Sequence, residues 1–187
     1  GVIPISHTLD TAGPLARTVT DAAILLGALA EADETGVQSH SYTGALDTSA
    51  LKGLRVGIFR MFTEDCDSEQ LTMSENIVTV LRENGAACVE IPPHTIRAGE
   101  LFPIMRYEFK CDLNAILVTF GRGNTPRNLR EIIRYNEQHP ERALKYGQDK
   151  LLNAQNDTSG RLTEPEYLRA LVAREGKIAE FDRLFTD

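Results

Sequence analysis

Apolar positions along the chain change their period from segment to segment, and the changes mark out the elements. Val19, Ala22, Ala23, Leu26 and Leu29 recur at helical spacing after Thr18, which with Asp21 three residues on suits a helix start. Leu54, Val56 and Ile58 alternate with Arg55, Gly57 and Phe59, the period-two signature of a strand. Asp67 or Ser68 can cap the next helix, where Ile77, Val78, Val80 and Leu81 share a face, and Gly85 suits its left-handed stop. Ala87 to Ile91 reads as a second strand halted by Pro92-Pro93. Strand, helix, strand predicts a βαβ unit with parallel strands and a right-handed crossover.

The remainder reads as helical. Glu100 to Val118 carries an apolar pattern broken by Pro103, which predicts a kink or two helices. Gly121 to Pro126 is a loop, and Leu129, Ile132, Ile133 and Asn136 form one helical face. Pro140 suits the first position of a further helix to about Ala154. Thr163 and Glu166 have capping-box spacing around Pro165, ahead of a stripe of Leu168, Leu171, Val172, Ile178 and Phe181. At the start, Val2 to Ile5 is a short apolar run with Pro4 at a strand end, and Ala12-Gly13-Pro14 punctuates a turn. Gly36 to Ser49 is polar and without period, hence a loop. The fold class expected is α/β, a small βαβ layer plus a helical lobe. Its parts are a strand, loop and capped helix over 1–35, the βαβ unit over 36–95, and the helical lobe over 96–187. Two strands make a poor sheet alone, so the bare edges are expected to pair with further strands or with a second copy as a homodimer.

Composition narrows the function classes. Apolar residues at 42% and charged ones at 25% are ordinary globular usage, and no apolar run approaches a bilayer-spanning length. A net charge of -7 argues against nucleic acid as a partner. Arg122, Arg127, Arg130 and Arg134 fall on one helix and its lead-in and read as a solvated face. Three widely spaced cysteines, Cys66, Cys88 and Cys111, suit reduced thiols and a cytoplasmic location rather than a disulfide framework. His7, His40, His94 and His139 show no ligand spacing with Cys or carboxylates, so no metal is implied. Ser6 and His7, neighbours on an expected strand, would face opposite ways and so do not make a nucleophile and base.

The densest motif is at the front. Gly1, Pro4, Ser6, Asp10, Thr11, Gly13, Pro14, Ala16, Arg17, Thr18, Val19, Asp21, Ala22 and Ala23 fit, at fixed spacings, the form G-x-x-P-x-S-x-x-x-D-T-x-G-P-x-A-R-T-V-x-D-A-A. This resembles the segment that follows the Ser-rich signature in amidase signature enzymes. Glu141 to Gln148 resembles the bacterial amidases more than the A subunit of tRNA-dependent amidotransferases. The resemblance implies a larger mixed-sheet fold and hydrolysis of a small-molecule carboxamide by a Ser, a cis-peptide Ser and a Lys, without a cofactor. This chain carries no Gly-Gly-Ser-Ser-Gly-Gly-Ser-type run and no Lys before Lys52. It also opens on Gly1 and stops within a helical pattern, so the expectation is an internal piece of a longer enzyme, inactive alone, with no catalytic residue of its own. The competing expectations are the A subunit of an amidotransferase, which would need partner subunits, and a non-catalytic helical interaction module.

Asp10 and Thr11 are the candidates for support of the active site, since a carboxylate there can accept backbone N–H groups and hold a turn. The plainer alternative is an Asx-turn ahead of Thr11 and Ala12. Arg142, Tyr146 and Gln148 are candidates for the wall of a substrate pocket, although an aromatic at helical spacing is commonly core. Arg17 and Asp21, one turn apart, can pair at the surface.

Overall fold

A computed structural model describes residues 2–30, 42–47, 49–60, 66–91, 98–123 and 125–185. The expected roles of His40, His94 and Pro92-Pro93, and the first part of the Gly36 to Ser49 loop, lie outside these residues. The fold is α/β. The chain divides into two compact units, one of residues 1–10 with 96–187 and the other of residues 11–95.

In the unit of residues 11–95, helix α1 spans Val19–Ala30 and starts where the Thr18 Oγ1 accepts the Asp21 backbone N–H at 3.0 Å. No Arg17–Asp21 ion pair forms among the described residues. Only Ala23 of the α1 stripe is buried; Val19 and Leu29 stay exposed. Among the described residues of the expected Gly36 to Ser49 loop there is one 3-10 turn, Tyr42–Ala45. Strands β1 (Arg55–Phe59) and β2 (Ala87–Ile91) pair in parallel, Arg55 opposite Ala87 and Phe59 opposite Ile91. They are the whole sheet among the described residues. A Cβ at Gly57 would lie 2.5 Å from Ile91 Cδ1, so a larger residue there would push the end of the Ile91 side chain aside.

Helix α2 (Ser68–Glu83) joins the strands. Asp67 caps it and Gln70 reciprocates, a full capping box that satisfies two otherwise orphaned N–H groups. Gly85 takes φ +88° at its end, the left-handed stop the sequence predicts. The shared apolar face is less buried than expected. Val78 is covered, while Ile77 and Val80 are exposed.

In the other unit, Val2 to Ile5 forms no strand, and Ala12 to Pro14, across the boundary, is irregular rather than a turn. The N–H of Ile5 bonds a carboxylate instead of a ladder. A 3-10 turn (Ala98–Leu101) leads into helix α3 (Phe102–Phe120). Pro103 falls in the first turn of α3, where its missing N–H has no helical partner to lose, so one unbroken helix replaces the expected kink. Helix α4 covers Leu129–Gln138 and is capped by the Asn128 side chain.

The helix expected from Pro140 to Ala154 is two, α5 (Pro140–Ala143) and α6 (Asp149–Asp157). The intervening turn places Gly147 at φ +72°, a conformation that ends a helix. Helix α7 spans Pro165–Arg183, and its cap residue is Glu164 rather than Thr163. Glu166 is drawn away from any capping box by Arg106 and the Tyr107 hydroxyl. The buried positions of α7 are Tyr167 and Ala170, one residue off the expected stripe, and Leu168 and Val172 face solvent.

Two apolar clusters lie along α3. Ile104 and Tyr107 pack with Tyr167 and Ala170 of α7, and Leu113 packs with Leu129 and Ile133 of α4 and Ala154 of α6. Lys110 ties α3 to the end of α6, donating to the carbonyls of Gln155 at 2.8 Å and Thr158 at 2.6 Å. These last-turn carbonyls lack helical partners, so a cation suits them. Arg122, Arg127, Arg130 and Arg134 are exposed, the solvated face expected of them. No helix among the described residues is long and apolar enough to cross a membrane.

Candidate functional site: a carboxylate-pinned turn

Backbone N–H groups dominate the most connected polar site. Six consecutive ones, from Ile5 to Asp10, all donate. Ile5 and Ser6 donate to Asp10 Oδ2 at 2.8 and 3.1 Å, His7 to Asp112 Oδ2 at 2.9 Å, and Thr8 to Glu108 Oε2 at 3.0 Å. Leu9 and Asp10 close the turn onto the Ser6 carbonyl at 3.2 and 2.8 Å. Asp10 therefore reaches backward over its own turn, to the Ile5 and Ser6 N–H groups, rather than forward to Thr11 and Ala12. Thr11 is exposed and begins the other unit.

Glu108 is the anchor. It sits on α3 one turn past Ile104, at 0% exposure, in line with an apolar face. A buried carboxylate is tolerable only when its oxygens are occupied. Oε2 accepts from Ser6 Oγ at 2.5 Å and from the Thr8 N–H; Oε1 accepts from Thr8 Oγ1 at 2.5 Å and the Tyr167 hydroxyl at 2.7 Å. Burial pushes the Glu108 carboxyl up, but the bonds from Ser6, Thr8 and Tyr167 together outweigh it and leave the group below its usual range. Burial and this same bond push the Tyr167 hydroxyl up to about 12.

His7 completes the cluster from the solvent side. Its Nδ1 lies 2.9 Å from Asp112 Oδ2 and its Nε2 3.3 Å from Glu108 Oε1. Ser6 and His7, expected to diverge as strand neighbours, both meet Glu108, because the segment is a turn. They still make no nucleophile and base: Ser6 is fully buried and its hydroxyl donates to Glu108, not to an imidazole.

His7, Glu108 and Asp112 also bring three ligand atoms within 4.8 Å of one another. They do not fit a metal. The ring turns a different nitrogen to each carboxylate, whereas one ion takes one nitrogen. Both Glu108 oxygens, moreover, already accept two hydrogens each.

The proposed pocket residues are elsewhere. Arg142 on α5 is exposed, and Tyr146 is 90% exposed beneath the Lys145 ammonium, so it is no core aromatic. Gln148 accepts from Asn136 Nδ2 at 3.0 Å, tying the turn before α6 to α4. No hydrogen bond or ion pair among the described residues joins these three to Asp10 or Thr11. Glu108, Asp112 and Tyr167 do not stand out in the sequence pattern, though one signal was available. Glu108 and Asp112, four apart on an apolar helix, are like charges one turn from each other, which is unfavourable unless something binds both.

The fold as a whole is similar to that of solved amidase-family structures. The amidase family model matches residues 1–187, and the chain belongs to that family. It is 33% identical over 171 residues to a probable amidase of Arabidopsis thaliana, across 86% of this chain and 33% of the relative. To the A subunit of the glutamyl-tRNA(Gln) amidotransferase of Coxiella burnetii it is 34% identical over 134 residues, across 60% of this chain and 28% of that protein. Among solved structures it resembles an amidase family protein from Bacillus anthracis, with TM-score 0.76 and 28% identity over 100% of this chain and 38% of the other. The native peptide amidase from Stenotrophomonas maltophilia is similar with TM-score 0.70 and 33% identity over 91% of this chain and 36% of that one. The chain spans about a third of the length of these curated relatives.

Proposed function

We propose that this chain serves an amidase that converts a carboxamide to a carboxylate and ammonia or an amine, through a Ser, cis-Ser and Lys relay held outside these 187 residues. The observation that carries this reading is the end-to-end match to the amidase family in a chain without the Gly- and Ser-rich run of the relay. In that chemistry a serine Oγ attacks the carbonyl carbon while its proton passes through the second serine to the lysine. The C–N bond breaks, the nitrogen leaves with a proton, and water cleaves the acyl ester. Backbone donors hold the oxyanion. The role of this chain is to carry the Ser6–Asp10 turn and the helices that fix it.

The test is ammonia release from simple amides. The intact protein turns over without partner subunits, and the 187 residues alone do not; serine-dependent hydrolysis by the isolated chain overturns the reading. Asp10 supports the site in this proposal. Asp10→Asn keeps the shape but leaves the Ile5 and Ser6 N–H groups a neutral acceptor, and it should lower kcat/KM by up to about 100-fold, as small misplacements of a catalytic group can. An unchanged kcat/KM removes Asp10 from the site.

A second reading, the A subunit of an amidotransferase, is favoured by the Coxiella burnetii relative. The amidase similarity extends further along the chain, over 171 residues against 134. Ammonia release that appears only when partner subunits are added decides for the amidotransferase.

A further inference from the structure

Two carboxylates, Glu108 and Asp112, face one ring that can take up a proton. They stand one turn apart on α3, and no Lys or Arg among the described residues pairs with either. The nearby Lys110 spends its ammonium on the carbonyls of Gln155 and Thr158. His7 alone reaches both carboxylates, and it does so with opposite ring nitrogens. Only the charged ring attracts both: Nδ1 hydrogen-bonds Asp112, while Nε2 meets Glu108 Oε1 as an ion pair at 3.3 Å, the Glu108 oxygens being already occupied by other donors. Neutral imidazole with its hydrogen on Nδ1 would keep Asp112 but turn a lone pair toward Glu108 Oε1, 3.3 Å away.

We propose that His7 is a proton-operated latch: charged, it clamps the Ser6–Asp10 turn to α3, and neutral, it lets that turn loosen. The inference stands apart from amide turnover and concerns only how this turn is held. The turn is well placed for such control, because the chain leaves this unit directly after Asp10. The ring is half exposed, at 53%, so protons reach it freely, while its partners are covered at 0% and 14%.

The groups around the ring fix the direction of the switch. From α3 it faces Asp112 and Glu108, with the Cys111 thiol between them in sequence. Burial first, then these two carboxylates, push that thiol up, so it stays neutral. From α7 the Tyr167 hydroxyl faces Glu108 and is also neutral. On its own turn, Asp10 is occupied by the Ile5 and Ser6 N–H groups. The Asp112 hydrogen bond raises the His7 pKa above 6.5, burial opposes it, and the charges of Asp112 and Glu108 add to the rise. A raised value means the stabilisation is complete below the ordinary imidazole pKa and is lost as pH climbs through the folded one. Glu108, held below its usual range, works in the opposite sense and fails only in acid. The latch is therefore closed from above the carboxylate range to beyond pH 6.5, and opens on the alkaline side.

Amide hydrogen exchange of the full-length protein at about pH 6 and about pH 9, corrected for intrinsic chemical rates, tests this. All six N–H groups from Ile5 to Asp10 are bonded, so the segment reports its own opening. The corrected exchange of residues 5–10 should rise several-fold between the two pH values while α4 is unchanged. In His7→Gln it should be fast and equal at both. Equal protection of residues 5–10 at both pH values in the wild type overturns the latch. If His7→Gln does not fold, imidazole NMR of the wild type decides: a His7 midpoint above 6.5 supports the latch, and one at or below 6.5 overturns it. Asp112→Asn should lower that midpoint.

Discussion

Glu108→Ala should lower the unfolding free energy of the full-length protein by about 3–5 kcal/mol, the cost of removing one partner from a buried charged network. The carboxylate receives Ser6 Oγ, Thr8 N–H, Thr8 Oγ1 and Tyr167 OH, and its loss leaves those donors stranded away from water. Glu108→Gln should cost less, because the amide oxygen keeps part of the acceptor set, although its NH2 then meets hydrogen-bond donors. Urea unfolding of both variants checks the order, with Tyr146→Ala as a surface control within about 0.5 kcal/mol of wild type. A Glu108→Ala protein as stable as wild type contradicts the anchor role assigned to this residue.

The second large effect belongs to Leu129→Ala, expected to cost about 2–5 kcal/mol through lost burial and the cavity left behind. Leu129 is at 0% exposure at the first position of α4, packed among Leu113, Ile133 and Ala154. Its own N–H donates to Asn114 Oδ1 at 2.8 Å, so side chain and backbone both join α4 to α3. The backbone bond resists collapse of α4 into the cavity, which places the cost toward the upper part of that range. Leu168→Ala on α7 removes the same side chain at a half-exposed position and should cost far less. Similar losses for the two leucines in thermal or urea unfolding contradict the core described above.

Local chemistry was legible in the sequence wherever the signal is short-range. The strands Arg55–Phe59 and Ala87–Ile91 and their parallel pairing follow from alternation and the intervening helix. The Asp67 cap and the Gly85 stop follow from side-chain reach and from the freedom of glycine at positive φ. Helix boundaries failed where a distant partner competed with a local one. Glu166 has the spacing for a capping box but serves Arg106 and Tyr107 across 60 and 59 residues, so α7 starts without that box. The broken helix after Pro140 turns on Gly147, a residue an unbroken helical reading tolerates at modest cost.

The candidate site divides the same way. By itself the sequence determined the family, through many residues at fixed spacings, and pointed to Asp10, whose bonds to Ile5 and Ser6 span only a few residues. Only the tertiary structure decided that Glu108, Asp112 and Tyr167 close over the same turn, because those bonds link residues 59 to 105 apart in the chain. Periodicity reports which face of a helix is apolar. It cannot report that an acid on that face meets a serine, a threonine and a tyrosine, since that meeting is made by packing.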